Sequence, residues 1–332
     1  MEDDMKTPII AAGLVTLASV ANAQDTLTVY TYDSFVSEWG PGPVIEENFE
    51  ARCGCDLEFV AVGDGAEILS RLRLEGERTE ADVVLGIDEN LAEAARATAL
   101  FAPHGIESPQ LDLPIAWEDD LFLPFDWGYF AFVYDKTRVE TPPTSFEELA
   151  DSDLSVVIQD PRSSTPGLGL VLWVKAVFGD DADAYWESLN DQVVTVTKGW
   201  SEAYGMFLEG EADMVLSYTT SPAYHLIAED DDTKAAAAFD NGHYMQIEIA
   251  GKVASTDTPE LADQFMDFIL TDGFQGAIPT TNWMYPAKMP ADGLPEGFET
   301  LHEPENALVY LGAEAEAIRN EAIEEWRAVS SQ

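Results

Sequence analysis

Aromatic side chains gather where an α/β chain would display them to a ligand. Tyr32, Asp33, Ser34 and Trp39 follow one candidate strand, and Asp64 and Gly65 follow the next. Trp200 stands in Lys198-Gly199-Trp200-Ser201, Tyr218 and Tyr224 follow a later strand, and Trp283 lies beside Asn282 and Tyr285. Any one of these rings is as easily a core residue. Their common placement argues otherwise, because open α/β sheets put ligands beyond the carboxyl ends of their strands. Indole and phenol faces beside the Asp64 carboxylate attract a flat cation, each contact contributing about 0.5–2 kcal/mol once water is excluded. A planar, positively charged heteroaromatic ligand is the expectation.

A second feature points to an anion. Asp160-Pro161-Arg162-Ser163-Ser164-Thr165 precedes a helix, where unpaired N–H groups, three hydroxyls and the Arg162 guanidinium would cradle a phosphate or sulfate. Ordinary N-capping accounts for one of those hydroxyls, so both readings stand. Catalytic signatures are missing from the sequence: no G-x-S-x-G elbow, no H-E-x-x-H pair and no Gly-rich phosphate loop with its lysine. Gly167-Leu168-Gly169 lacks the third glycine of a dinucleotide fingerprint, and no cofactor is expected. His104, His225, His243 and His302 are scattered; His225, next to Tyr224, is the one expected near the cleft, in a packing or hydrogen-bonding role. The acidic run from Glu229 to Asp232 lacks the interleaved spacing of a calcium loop and reads as solvated surface.

Elements to position these residues follow from periodicity. Strands are expected at 27–32, 56–62, 81–87, 156–159, 193–196 and 214–218, with helices at 42–51, 66–76, 169–178 and 201–209. Asp88 is expected to cap a helix running through Leu91 and Ala95. Two long strands, 125–134 and 244–253, bracket the middle of the chain. The spacing fits an α/β fold of two lobes joined by two crossing strands, with a single continuous sheet as the competing arrangement. Residues 26–128 and 250–332 would form a discontinuous first lobe, 129–249 the second, and helices from Pro259 and Ala313 would return to the first.

Composition narrows the partners. The chain has 332 residues, with 16 Lys and Arg against 63 Asp and Glu, a formal net charge of −47. Such a surface repels phosphate backbones and anionic lipid, which excludes nucleic acid as a partner. Lys6, an apolar run from Ile9 to Val20 and Ala21-Asn22-Ala23 read as a secretory signal peptide over 1–23, cleaved after Ala23. The acidic Glu2, Asp3 and Asp4 fit that leader poorly, which makes Met5 an alternative start. Cys53 and Cys55 are expected to close a small disulfide ring in an oxidising compartment; a zinc site would need ligands that no nearby histidine supplies.

The sequence also resembles a known family over nearly the whole chain from Leu27: the periplasmic thiamine-binding subunits of bacterial ABC importers. The likeness rests on LTVYTYDSF at 27–35, WGPGP at 39–43, ADVVLG at 81–86, TVTKGWSEAYG at 195–205 and LSYTTSPAYH at 216–225. It implies the two-lobed, type II periplasmic binding protein fold, which closes on its ligand. It implies thiamine contacts at Asp64, Gly65, Ser164, Thr165, Trp200, Tyr218, Thr219, Thr220 and Ser221, with Tyr32, Tyr224 and Trp283 as aromatic walls beside Asn282. The implied protein is a periplasmic monomer that passes thiamine or a thiamine phosphate to permease subunits. This chain is more acidic than the family pattern, and Trp127 stands where tyrosine is expected. Two rivals keep a place: a ferric or polyamine carrier using Tyr218 and Tyr224, and a secreted thiamine-degrading enzyme using Glu38, Asp64 or His225.

Overall fold

The computed structural model describes residues 25–330, so the leader read at 1–23 lies outside the described residues. The first half winds β1 (Thr26–Thr31), α1 (Gly42–Cys53), β2 (Asp56–Ala61), α2 (Gly65–Glu75), β3 (Val83–Asp88), α3 (Ala92–Arg96) and the short β4 (Phe101–Ala102). The long β5 (Phe122–Asp135) leads into α4 (Phe146–Ala150), β6 (Val156–Gln159), α5 (Thr165–Phe178), α6 (Ala182–Leu189), β7 (Val193–Thr197), α7 (Trp200–Leu208), β8 (Met214–Tyr218), α8 (Pro222–Ala228) and β9 (Lys234–Ala236). The chain crosses back on β10 (His243–Val253) and ends with α9 (Pro259–Ile269), α10 (Asp272–Gln275), β11 (Tyr285–Pro286), β12 (Ala307–Leu308) and α11 (Gly312–Ser330).

Strand order is β2-β1-β3-β10-β5-β8-β6-β7. β5 and β10 pair antiparallel with each other, while β10 also pairs with β3 of the first half and β5 with β8 of the second. The hydrogen-bonded path is therefore unbroken, because the two crossing strands take part in both halves. The expected lobe limits, 128/129 and 249/250, fall inside these strands. Flanking pairs are parallel, β1 with β2 and β3, and β6 with β7 and β8, as strand-helix alternation requires. Cores form on both sides: Phe35, Phe49, Phe59 and Phe265 pack in the first half, and Phe132, Phe146, Trp173 and Phe239 in the second. Cys53 and Cys55 are disulfide-bonded at the end of α1, with Cα atoms 5.2 Å apart. Among the described residues no helix is long and apolar enough to cross a membrane.

Three local expectations are corrected. Helix α5 starts at Thr165, four residues ahead of the expected 169, with Ser164 at its N-cap position and Pro166 in its first turn. Gly169 is helical as expected and Gly167 joins it; the missing side chain lets the helix press on the sheet, since a Cβ at Gly169 would lie 1.9 Å from Phe130 Cε2. Asp88 caps nothing. It ends β3 fully buried, a 3-10 turn (Glu89–Leu91) follows, and Leu91 occupies the cap position of α3. Helix α11 does not return to the first half alone. Lys175 of α5 bonds Glu321 at 2.8 Å and Glu325 at 2.6 Å, while Arg319 Nη1 donates to the Asn90 carbonyl beyond β3 at 3.3 Å. The helix thus lies across both halves, a placement that local periodicity does not encode.

The Gly169→Ala substitution drives a methyl into the Phe130 ring. Overpacking of this kind costs about 1–3 kcal/mol, so the urea midpoint should fall with an unchanged slope, read by far-UV circular dichroism.

Candidate ligand-binding cleft

Strand and helix ends from both halves meet around one cleft of about 280 Å³. From the first half come Tyr32 after β1, Asp64 and Gly65 opening α2, and Asn282, Trp283 and Met284 before β11. From the second come Thr165 opening α5, Trp200 opening α7, Tyr218 ending β8, and Ser221 and Tyr224 at α8. Glu248 of β10 also lines the cleft. Three expected contacts do not reach it: Ser164, Thr219 and Thr220 are fully buried behind the wall. Thr220 Oγ1 instead donates to Met284 Sδ at 3.7 Å, and Thr219 N–H donates to the Tyr129 carbonyl at 2.8 Å. A chain that turns between β8 and α8 cannot show every residue to one side.

The rings form a connected arc. Trp39 lies 6.3 Å from Trp200, Trp200 stacks on Tyr204 at 5.0 Å, Tyr204 on His225 at 5.9 Å, His225 meets Tyr224 at 4.9 Å, and Tyr224 meets Trp283 edge-on at 5.5 Å. Offset and edge contacts such as these hold each ring in place while leaving its face free. Trp200 Nε1 donates to Ser217 Oγ at 2.8 Å, which fixes the indole plane. Trp283 sits at φ 58°, left-handed backbone that an aromatic residue seldom adopts. Its N–H donates to the Ile278 carbonyl at 2.9 Å, closing a π-turn over Ile278–Asn282 that turns the indole into the cleft. Tyr32 needs Gly86, where a Cβ would stand 2.2 Å from the phenol ring.

His225 holds the wall from behind. Its Nε2 shares a hydrogen bond with Tyr204 Oη at 2.9 Å and its Nδ1 with Glu229 at 2.7 Å, the hydrogen-bonding role expected of it. Trp127, the departure from the family pattern, stacks on Tyr285 at 4.6 Å and lies outside the cleft lining.

Carboxyl groups supply the electrostatics. Asp64 Oδ2 accepts the Trp200 N–H at 3.2 Å, so a first-half carboxylate sits on the N-terminus of second-half helix α7. Burial pushes the Asp64 carboxyl up to about 6, against the opposing pull of hydrogen bonds from the Ser164 hydroxyl and the Trp200 N–H. On the cleft floor Tyr32 Oη donates to Glu248 Oε2 at 2.8 Å, and beneath it Asn282 Nδ2 donates to Oδ2 of the fully buried Asp126 at 2.6 Å. Burial raises Glu248 to about 7 and holds Asp126 well above the ordinary carboxyl range. The expected anion cradle is only partly assembled. Arg162 pairs with Asp160 and lies over the Trp326 ring, 5.8 Å from its centroid, outside the lining of the cleft. An arginine two residues from an aspartate closes on its neighbour sooner than it crosses the domain.

Sequence reading missed Glu248, Tyr204 and Met284 as lining residues. For Glu248 a signal existed: a lone acid within the apolar strand HYMQIEIAGKV. Tyr204, within TVTKGWSEAYG, passes for the buried face of α7, which it also is.

An open α/β fold with crossing strands and an aromatic cleft between its halves defines an extracytoplasmic solute-binding protein. Residues 37–276 match the bacterial extracellular solute-binding protein family, and the chain belongs to that family. Among its relatives is the thiamine-binding periplasmic protein of Escherichia coli, 54% identical over 311 residues, covering 93% of this chain and 94% of that protein. The thiamine-binding periplasmic protein of Brucella suis is 50% identical over 321 residues, 96% of each chain. A solved structure described as a periplasmic thiamin binding protein superposes with a TM-score of 0.91 at 52% identity, covering 96% of this chain and 100% of that one. The fold is thus the type II periplasmic binding protein fold.

Asp64 gives closure a pH dependence. When the halves part, the carboxyl meets water and titrates near its ordinary 3.8; against α7 it titrates near 6. The raised value means no penalty below about pH 4 and a full one above 6, about 2–3 kcal/mol at ~1.4 kcal/mol per unit. Closure of the empty cleft therefore weakens as pH rises. Small-angle scattering of the ligand-free Asp64→Asn protein should show a more compact particle than wild type at pH 8 and the same particle at pH 4.

Proposed function

We propose that this chain is a periplasmic receptor that captures thiamine and delivers it to the permease of an ABC importer. The observation behind this reading is the arc of rings from Trp39 to Trp283 that closes one cleft over a floor of carboxyls. Thiamine is two flat rings, one of them a permanent cation. Such a ligand gains from stacked π faces and from a nearby negative charge, and it gains most where water is excluded. Thr165 and the N-termini of α5 and α7 flank the cleft and offer N–H groups to a phosphorylated tail, which makes thiamine phosphates candidate cargo as well. Parting of the halves about β5 and β10 would admit the ligand, and rejoining through Asp64 and Trp200 would bury it. The relatives' names support the same ligand and compartment.

The rivals find less support. Burial and nearby carboxylates raise the Tyr218 and Tyr224 phenols above their ordinary range, which opposes the phenolates a ferric ion needs. Of the groups an enzyme would use, Glu38 lies exposed outside the lining and His225 is held between Tyr204 and Glu229. Mass analysis of thiamine recovered after incubation should return it intact.

Calorimetry is expected to give tight one-to-one binding of thiamine, with quenching of tryptophan fluorescence. Trp283→Ala should weaken binding about 10- to 100-fold, the loss of one desolvated cation–π wall and its packing, while the protein stays folded by circular dichroism. No response to micromolar thiamine from the folded wild type would reject the proposal.

A further inference from the structure

Each of the two crossing strands contains an acid within an apolar run: Asp126 on β5 and Glu248 on β10. The register sets them directly opposite one another. Ile249 faces Pro124 and Glu248 faces Asp126, so Phe125 is an extra residue that bulges β5 and shifts its alternation. Directly opposed residues of an antiparallel pair share a face, and Glu248 opens onto the cleft floor.

What surrounds this pair is acidic or neutral. From β3, Asp88 stands opposite Glu248 on the other side, next to Glu89. From β1 comes Tyr32 Oη, from β10 itself Gln246 Nε2 at 3.1 Å, and from the π-turn Asn282. Strand β11 places Pro286 opposite Asp126, and the Tyr218 phenol of β8 lies within the field of both acids and of Asp64. Arg319 acts on Asp88, the neighbouring acid, and bonds the Asn90 carbonyl. Among the described residues no lysine or arginine forms an ion pair with Asp126 or Glu248. Asp126 Oδ1 and Gln246 Oε1 are buried with no hydrogen-bond partner.

Two buried carboxyls without a cation are stable when one proton is shared between them. A positive guest changes that balance. We propose that Asp126 and Glu248 are the cation-recognising element of the cleft: the pair holds one proton while the cleft is empty and releases it to solvent when a cationic ring binds. The receptor then exchanges a proton for a cation, and it rejects neutral rings of the same shape because they leave the pair protonated and uncompensated by any charge. This deepens the thiamine reading and rests on it. Burial raises both acids, Asp126 the further of the two, so the pair keeps a proton in the range where a periplasm works, whereas Asp64, near 6, is already mostly ionised at pH 7.

Titration calorimetry of thiamine at pH 7, in buffers of different ionisation enthalpy, counts the protons released. Wild type is expected to release between about half a proton and one per thiamine, with affinity rising by up to about tenfold per pH unit as pH approaches 7 from below. Glu248→Gln should abolish the release and weaken thiamine about 10- to 100-fold, with less than about threefold change for thiochrome, a neutral fused-ring derivative. Asp126→Asn, whose amide donates where the acid did, leaves Glu248 ionised; release should vanish while affinity falls by less than about tenfold. Both variants should lose the release and they differ in affinity, so a folding defect in one does not end the test. Thiamine bound by wild type with no proton release, or with release that survives in Glu248→Gln, overturns this inference alone. Failure of the folded wild type to bind thiamine overturns the functional reading and this one with it.

Discussion

The pairing of β5 with β10 is the constraint on which the molecule depends. Through β8 on one side and β3 on the other, these two strands join the sheets of both halves, so their ladder sets how the halves face each other. A ladder of backbone hydrogen bonds bends far more easily than it slips, since a one-residue slip would turn every side chain to the opposite face. The bulge at Phe125 fixes the register at the point where it matters. It brings Asp126 opposite Glu248 and leaves Phe125 to pack against Phe35 and Phe274 in the first-half core.

That floor is costly to build. A row of carboxyls, Asp88, Glu248 and Asp126, crosses three adjacent strands with little positive charge to balance it. Buried acids are tolerated only when protonated, hydrogen-bonded or paired. Here Asn90, Tyr32, Gln246 and Asn282 each donate a hydrogen bond to one of them. The rings above complete the same logic, since they offer quadrupolar attraction to a positive guest and exclude the water that would screen it. The acidic exterior adds a weaker bias: a net charge of −47 raises the local concentration of cations at the mouth, an effect that salt screens within about 10 Å.

The cleft mouth is held by lighter contacts. Asp64 meets the Trp200 amide across the gap, and Lys198 reaches Glu67 at 2.9 Å. The second is an exposed pair worth at most about 1 kcal/mol, suited to a contact that must open on each cycle. Helix α11, by contrast, is tied to α5 through Lys175 and to the turn after β3 through Arg319, on the side away from the cleft.

Much of this was readable in the chain itself. Alternating strand and helix signals, the long apolar strands and the aromatic residues at strand ends are short-range patterns, so they determined the α/β class, the crossing strands and most of the lining, from Tyr32 and Asp64 to Trp200, Tyr224 and Trp283. Three kinds of fact depended on distance. Whether Ser164, Thr219 and Thr220 face the cleft or the wall turns on the path of two tight turns; where Arg162 points turns on which partner reaches it first; and what Gly169 packs against turns on Phe130, a ring on another strand. Glu248 is the clearest case. As a residue it is one acid among 63, and only the bulged register against β5, fixed by hydrogen bonds between segments more than a hundred residues apart, makes it half of a buried pair beneath the ligand.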